Sequence, residues 1–281
     1  MKLTEKKHIA TKRVLIYGPP KAGKTQLAST LAAEYKILWF DLEAGYSTLL
    51  KLPQAQQENI ELISIPDSKV FPIAIETMLK VVTGNKVAIC EEHGKVSCPI
   101  CKKDGKLEVE IELKTLTEDW VVVIDSLTQL TNSAIAFITK GQPDDYKLDF
   151  SDWGNLKAIV EKFLSQIQQA RYNVVCITHE ESVELENGQQ KIVPVCGSSK
   201  SSRNTGKYFD EVIYCELKNK KHIAASSTTY ANNILTGSRT DTIMEQMVEP
   251  SLLEIFRQKD VVKPATQGQT ALNQLKGVVA K

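Results

Sequence analysis

The stretch Gly18-Pro19-Pro20-Lys21-Ala22-Gly23-Lys24-Thr25 matches the pattern G-x-x-x-x-G-K-[ST] at every fixed position. The run Arg13-Val14-Leu15-Ile16-Tyr17 before it predicts a buried strand, and residues 26–33 after it predict a helix. In that setting the pattern indicates a phosphate-binding loop, because glycine lets backbone N–H groups close around phosphates above a helix N-terminus. We therefore expect this stretch and Gln26 to bind the phosphates of ATP.

Two side chains of the loop and one carboxylate are expected to serve the phosphate chemistry. Lys24 should reach the β- and γ-phosphates, and the Thr25 hydroxyl should hold Mg²⁺. The run Trp120–Asp125 is apolar and ends in Asp, the form of a Walker B strand, whose carboxylate orients Mg²⁺ through its water shell. Apolar runs ending in Asp are common, so Asp125 is assigned this role because the phosphate loop needs such a partner.

Strand-like and helix-like segments alternate, which predicts an α/β fold with a mostly parallel, twisted sheet flanked by helices. The predicted strands are residues 14–17, 37–41, 121–125, 174–178 and 212–217. The predicted helices are residues 26–33, 72–82, 127–139 and 156–170. The pair Asn187-Gly188 predicts a hairpin turn. We predict a core of residues 1–257, interrupted by a zinc-knuckle insertion at 84–117, and a polar, flexible tail at 258–281.

Bulk composition narrows the class of protein only partly. The 35 basic residues nearly cancel the 34 acidic ones, so net charge gives no argument about nucleic acid. The first residues are polar, and no apolar run approaches the ~20 residues of a membrane helix. We therefore expect a soluble cytoplasmic protein, in the host cytoplasm if it is phage-encoded, with no membrane partner. The six cysteines fit that compartment as metal ligands or core thiols.

Four of the residues in the insertion have the spacing of metal ligands. Cys90-x-x-His93 is followed by Cys98-x-x-Cys101, and Cys₃His is a closed tetrahedral set for structural Zn²⁺. Unrelated thiols in a loop are the plainer interpretation, and redox chemistry at Cys98 and Cys101 is a lesser alternative. The spacing of both pairs favours zinc.

The segment Asp41-Leu42-Glu43-Ala44-Gly45 follows the second predicted strand. A carboxylate just beyond a strand end can polarise the water that attacks a γ-phosphate, and Glu43 is better placed for this than Asp41. From the residues alone, a solvated carboxylate in a turn is an equally good interpretation.

These elements together resemble the RecA-like ATPases, and more closely the compact phage Sak-type ATPases of single-strand annealing and recombination. The matching features are the phosphate loop, Asp-x-Glu-x-Gly at 41–45, Asp-Ser-Leu at 125–127 and Thr178-His179-Glu180. The resemblance spans about residues 12–240 by the alternation of strands and helices. It implies that Glu43 is the catalytic base and that Thr178 and His179 jointly sense the γ-phosphate. A His that only caps its strand remains the alternative.

The resemblance also implies partners. Lys218, Lys220 and Arg239 are candidates for cations donated to a neighbouring subunit's nucleotide, which requires a homo-oligomeric ring or filament. Solvated lysines at a hairpin edge are the plainer interpretation. The counterparts of the flexible loops with which that family contacts single-stranded DNA are residues 141–153 and 197–206. The first loop is acidic, so direct phosphate contact is not expected there. The second loop offers Lys200 and Arg203, with Lys207 beside it, although an ordinary surface loop has the same composition.

The sequence analysis therefore predicts a DNA-stimulated ATPase that acts on single-stranded DNA in recombination, annealing or repair. A single-strand annealing or single-strand-binding protein is an expected partner. A nucleotide-dependent loader with weak turnover is the first alternative. A small-molecule P-loop kinase is the second, although no arginine-rich lid is visible.

Overall fold

The computed structural model describes residues 11–106, 108–227, 231–239 and 247–257. The predicted tail at 258–281 lies outside these residues. The strands are β1 Arg13–Gly18, β2 Lys36–Asp41, β3 Ile60–Ser64, β4 Val87–Cys90, β5 Glu108–Ile111, β6 Trp120–Asp125, β7 Asn173–Glu184, β8 Gln190–Pro194, β9 Glu211–Lys218, β10 Lys221–Ala225, β11 Gly237–Ser238 and β12 Met247–Val248. The α-helices are α1 Lys24–Ser29, α2 Gln54–Gln57, α3 Ile73–Val82, α4 Pro99–Lys103, α5 Leu127–Ile138, α6 Phe150–Gln168, α7 Ser199–Asn204 and α8 Leu253–Arg257. Short 3₁₀ helices cover Thr30–Ala33, Tyr46–Lys51, Leu113–Thr115 and Thr205–Tyr208.

A mostly parallel sheet forms the centre of the molecule. Its strand order is β12-β10-β9-β1-β7-β6-β2-β3, and the six strands from β9 to β3 are all parallel. Strands β10, β11 and β12 add antiparallel pairs at one side, and β8 pairs with the far half of β7. The predicted α/β class is confirmed.

The central strands bury both faces, which explains their continuous apolar runs. In β1, Leu15 and Tyr17 pack into the core under α3, α5 and α6, while Val14 and Ile16 face the core under α1 and α8. Helices therefore cover both faces of the sheet, as the alternating pattern predicts.

One predicted helix boundary and one predicted loop are wrong for the same reason. The helix expected to begin at residue 156 begins at Phe150, because Asp149 and Asp152 form a capping box in which each side chain accepts the other's backbone N–H. Its first turn is exposed, with Phe150 95% and Trp153 43% exposed, so burial does not mark the start of this helix. The loop expected at 197–206 is largely helix α7, which Ser198 caps through the Ser201 N–H. Local capping chemistry, not burial, starts both helices.

The strand predicted at 174–178 continues to Glu184 and forms a hairpin with β8. The predicted turn at Asn187-Gly188 is confirmed, with Gly188 at φ 76°. The insertion has its own two-stranded antiparallel sheet, β4–β5. Its apolar residues Ile89, Val96 and Ile111 belong to the main core, so the insertion packs on the body of the protein. No helix in the described ranges is long and apolar enough to cross a membrane.

Candidate functional site

The order of the strands brings the predicted site residues together. β1, β7, β6 and β2 are parallel neighbours, so their carboxyl ends meet at one edge of the sheet. Gly18 ends β1, Asp125 ends β6, and Glu43 follows β2, while His179 of β7 pairs with Gly18. Ligand sites of open α/β sheets lie at this edge.

The phosphate loop is held by its neighbours. Gly18 has φ 147°, and a Cβ on it would lie 2.0 Å from the carbonyl oxygen of Cys215 in β9. Gly23 has φ 88° at the N-terminus of α1, where a Cβ would lie 2.7 Å from His222 Nδ1. Glycine is required at both positions because a side chain would be strained and would also collide.

Lys24 is buried at the base of this loop. Its Nζ donates hydrogen bonds to the carbonyl oxygens of Gly18 at 2.9 Å and Pro19 at 2.8 Å. Burial lowers the pKa of Lys24. The ammonium group is thus held where the loop curls, the position from which a lysine reaches terminal phosphates.

Thr25 and Asp125 supply two oxygen ligands side by side. The Thr25 hydroxyl donates a hydrogen bond to Asp125 Oδ2 at 2.9 Å. Burial, joined by the carboxylates of Glu43 and Asp41 and opposed by the hydrogen bond from Thr25, raises the pKa of Asp125 to about 7. A hydroxyl next to a carboxylate with few other partners fits a hard cation such as Mg²⁺, which would favour the charged form.

Asp41 is a structural residue that builds the turn carrying Glu43. Its buried carboxylate accepts backbone N–H bonds from Glu43, Gly45 and Tyr46 at 3.2, 3.0 and 3.3 Å. This arrangement leaves the Glu43 side chain free to face the cavity, where the hydroxyl of Ser126 donates a hydrogen bond to it. The structure thus assigns different tasks to the two carboxylates.

His179 lies between Lys24 and Glu43. Its Nδ1 is 3.5 Å from Lys24 Nζ, and its Nε2 is 3.6 Å from Glu43 Oε2. Because an ammonium only donates, Nδ1 is the accepting nitrogen, and Nε2 carries the proton toward the carboxylate. His179 therefore links the loop lysine to the candidate base.

Thr178 does not face the cavity. Its hydroxyl is fully buried, donates to the Val195 carbonyl oxygen at 2.6 Å and lies 2.9 Å from Thr128 Oγ1. Thr128 in turn accepts the His179 backbone N–H at 2.9 Å. The sequence analysis treats Thr178 and His179 as a joint sensor. The structure separates them, because successive strand residues point to opposite faces.

A cavity of about 530 Å³ joins these groups. Its lining includes most of the predicted loop residues, namely Pro20, Lys21, Gly23, Lys24, Thr25 and Gln26, together with Glu43, Asp125, Ser126 and His179. A second cavity of about 340 Å³ shares Gly23, Gln26 and His222 with it. His222 was missed by the sequence analysis. Its Nδ1 lies 3.0 Å from the Ala22 carbonyl oxygen, a contact across 200 residues that no local pattern reveals.

The four predicted zinc ligands converge. His93 Nδ1 lies 3.1 Å from Cys101 Sγ, 3.7 Å from Cys98 Sγ and 3.9 Å from Cys90 Sγ, and all four atoms lie within 4.8 Å of one another. Tetrahedral zinc places its ligand atoms about 3.5–3.8 Å apart, so the cluster fits the ion. A backbone N–H of Cys101 lowers the pKa of the Cys98 thiol to about 7, which favours the thiolate that zinc binds.

The candidate trans-acting cations lie at opposite ends of strand β9. Lys218 and Lys220 are exposed at the β9–β10 turn on the phosphate-loop side, and Lys220 lines the second cavity of its own chain. Arg239 lies beyond the opposite end of β9, where it donates to the Lys207 carbonyl oxygen at 2.5 Å. Its side chain is 52% exposed.

Two of the three candidate DNA-contact residues, Arg203 and Lys207, lie close to Arg239. Lys200 and Arg203 are exposed on α7, and Arg203, Lys207 and Arg239 line one cavity of about 300 Å³. Residues assigned to two different tasks by the sequence analysis therefore share one basic surface.

Comparison with known proteins identifies one family for most of the chain. A family model described as an AAA domain matches residues 10–242. No curated protein matches the chain. A solved ATPase from the type III secretion system of pathogenic bacteria is similar in structure, with 14% sequence identity and a TM-score of 0.43 over 74% of this chain and 52% of that one. The chain thus spans about half the length of that protein.

Proposed function

The chain belongs to the AAA-domain family of P-loop ATPases, and on that premise we propose that it hydrolyses ATP to ADP and phosphate and couples this reaction to single-stranded DNA. The observation that carries the ATPase part is the convergence of Lys24, Thr25, Asp125, Glu43 and His179 on one cavity. Each group has the chemistry that one step of phosphoryl transfer to water requires.

The roles of the residues follow from their positions. Thr25 and Asp125 would hold Mg²⁺, which neutralises phosphate charge when it is bound. Lys24 binds the terminal phosphates, and Glu43 accepts a proton from the attacking water. The Nε2–H of His179 faces Glu43 and holds that carboxylate in place. Ser126 fixes its other oxygen.

We propose that the base and ribose of the nucleotide occupy the second cavity. It adjoins the phosphate site through Gly23, Gln26 and His222, and its volume of about 340 Å³ suits a group of that size. The lining includes apolar Leu27 and Ile223 for a base and polar Ser251 for a sugar.

The proposed DNA function rests on the basic surface around α7 and on its link to His179. The Val195 N–H donates to the His179 carbonyl oxygen at 2.9 Å, and the Gly197 N–H donates to Thr131 at 3.1 Å. A change at the γ-phosphate would therefore reach α7 within a few residues. The resemblance to phage recombination ATPases, with a single-strand annealing or single-strand-binding partner, supports the same proposal.

The zinc cluster is proposed to hold one structural Zn²⁺. Its three cysteines are buried, and all four ligand positions come from the protein. A closed four-ligand site leaves no position for substrate, which is the property of structural zinc.

Phosphate release with and without single-stranded DNA tests the proposal. We expect turnover that DNA stimulates, and we expect Lys24→Ala to abolish it, while Lys80→Ala, an exposed lysine on α3, serves as the matched control. Turnover indifferent to DNA would remove the DNA function alone. Tight nucleotide binding without turnover would instead favour the loader, and transfer to a small acceptor would favour the kinase.

A further inference from the structure

We infer that the zinc knuckle positions the turn carrying Glu43, so that the metal module acts in ATP hydrolysis although it lies outside the nucleotide cavity. This inference rests on the proposed function for its kinetic consequence. Its structural part, the support of residues 41–46 by residues 90–101, stands independently of it. Three successive contacts connect the two regions.

The first contact joins the knuckle to strand β3. Gly94 follows the ligand His93 and has φ 60°. A Cβ on Gly94 would lie 2.6 Å from Ile65 Cα and 2.9 Å from the Ser64 carbonyl oxygen. The knuckle backbone is therefore pressed against the backbone at the end of β3, at a separation that only glycine permits.

The same glycine is anchored to helix α3. The buried Thr77 hydroxyl donates to the Gly94 carbonyl oxygen at 3.0 Å, and the Gly94 N–H donates to the Cys90 carbonyl oxygen at 2.9 Å. Gly94 is thus fixed on one side by a zinc ligand and on the other by the protein core.

The second contact joins β3 to β2, since the Ile65 N–H donates to the Asp41 carbonyl oxygen at 2.9 Å. The third contact is the Asp41 carboxylate, which holds the N–H groups of Glu43, Gly45 and Tyr46. A displacement of Ile65 would therefore move Asp41, and Asp41 directly holds the backbone N–H of Glu43. Because a shift of about 1 Å can slow a positioned reaction by about 10²-fold, this support bears on the rate.

Two glycines of the module provide a matched pair of variants. Gly94→Ala introduces a Cβ against Ile65, whereas Gly105→Ala introduces one at φ 63° with no atom within 4 Å. Both alanines are strained in the same backbone region, but only the first disturbs the contact with β3. Neither variant removes a zinc ligand.

We expect Gly94→Ala to retain about one zinc per chain and to bind nucleotide within about twofold of the parent, while its kcat falls at least about tenfold. Gly105→Ala should match the parent in all three measurements. A zinc-loaded Gly94→Ala protein with the parent's kcat would overturn the inference. If Gly94→Ala loses zinc, Thr77→Val, which removes only the hydrogen bond to Gly94, takes its place with the same expected split between kcat and nucleotide affinity.

Hydrogen exchange provides a readout that needs no turnover. Chelation of zinc should speed exchange of the Glu43, Gly45 and Tyr46 amides at least about fivefold, because their acceptor Asp41 loses its support. The amides of helix α6 serve as the reference. Unchanged exchange at residues 43–46 after zinc removal would overturn the coupling, whereas an inactive parent protein with the expected exchange pattern would contradict only the proposed ATPase function.

Discussion

Glu43 and Asp41 belong to one turn, yet the backbone gives them opposite tasks. Asp41 is buried and saturated by three N–H groups, while the Glu43 side chain is held by Ser126 and His179 beside the cavity. Both oxygens of Asp41 are occupied by these N–H groups, whereas the Glu43 carboxylate lines the cavity. Glu43 is therefore the better placed of the two to meet an attacking water.

Replacement of Glu43 by Gln tests that difference. We expect Glu43→Gln to bind ATP normally and to hydrolyse it about 10²–10⁴ times more slowly, since the amide cannot accept the proton of the attacking water. The measurement is single-turnover hydrolysis beside equilibrium binding. Glu61→Gln, the same change at an exposed position of β3, is the control. Equal rates for Glu43→Gln and the parent would remove Glu43 from its role.

The raised pKa of Asp125 predicts that the stability of the folded protein depends on pH. Its pKa in the folded protein is about 7, above the ordinary 3.8, so ionisation destabilises the nucleotide-free fold as pH rises from about 4 to above 7. Three pKa units correspond to at most about 4 kcal/mol. Asp125→Asn should therefore unfold at higher urea than the parent at pH 8, and the difference should shrink at pH 5.

The same variant should lose its response to Mg²⁺. A neutral amide binds a hard cation weakly, so added Mg²⁺ should no longer tighten nucleotide binding in Asp125→Asn.

The stability prediction has its own contradicting outcome. Identical urea midpoints for the parent and Asp125→Asn at pH 8 would show that the Asp125 charge does not destabilise the fold.

At the scale of elements, the sequence predicted the parts that burial dictates. Strands β1, β2, β6 and β9 were found within one or two residues, because both faces are buried and their apolar runs are continuous. Helix α6 began earlier than predicted and α7 was missed, since capping by Asp149 and Ser198, and not burial, determines where these two helices begin.

The site shows the same division between local and distant information. Lys24 and Thr25 are neighbours in one loop, and the four zinc ligands lie within residues 90–101, where their ligand atoms converge. His222 comes from β10 and reaches Ala22 only through the sheet order. Pairing across 200 residues has no signature in one sequence. The sequence also does not reveal which residues of β7 point toward the cavity, so Thr178 was grouped with His179.

Zinc should stabilise its own element and the core beside it. We expect about one zinc per chain and a clear loss of thermal stability on chelation, because structural zinc contributes ~10 kcal/mol or more to ordering such a loop. Cys101→Ser should lose the metal. Cys196→Ala, a buried cysteine outside the cluster, should keep it. Metal-free parent protein with unchanged melting would contradict the site.

At the scale of the whole molecule, candidate functional residues lie at two opposite ends of the parallel strands. The nucleotide cavity lies at the carboxyl ends of the strands, and Arg239 lies at the amino end of β9. One chain cannot bring Arg239 to its own nucleotide across the length of β9. We propose an assembly of several copies in which Arg239 of one copy reaches the phosphates bound by the next copy.

Mixing two variants tests that assembly. Arg239→Ala should slow turnover by about 10³-fold or more with little change in nucleotide affinity, as loss of a trans-acting cation does. Mixed with Lys24→Ala, it should regain activity, because some interfaces then pair an intact Arg239 with an intact phosphate loop. Arg171→Ala is the control for removal of an exposed arginine. A mixture no more active than its components would contradict the assembly.

The close approach of β9 to Gly18 has a thermodynamic consequence. The Cys215 carbonyl oxygen occupies the space of a side chain, so the neighbouring strand dictates the curvature of the loop. A phosphate loop held in this way has its binding conformation before the nucleotide arrives, so nucleotide binding orders few further residues. Calorimetry of nucleotide binding should accordingly show a small heat-capacity change, the sign of a preorganised pocket and not of folding induced by the ligand.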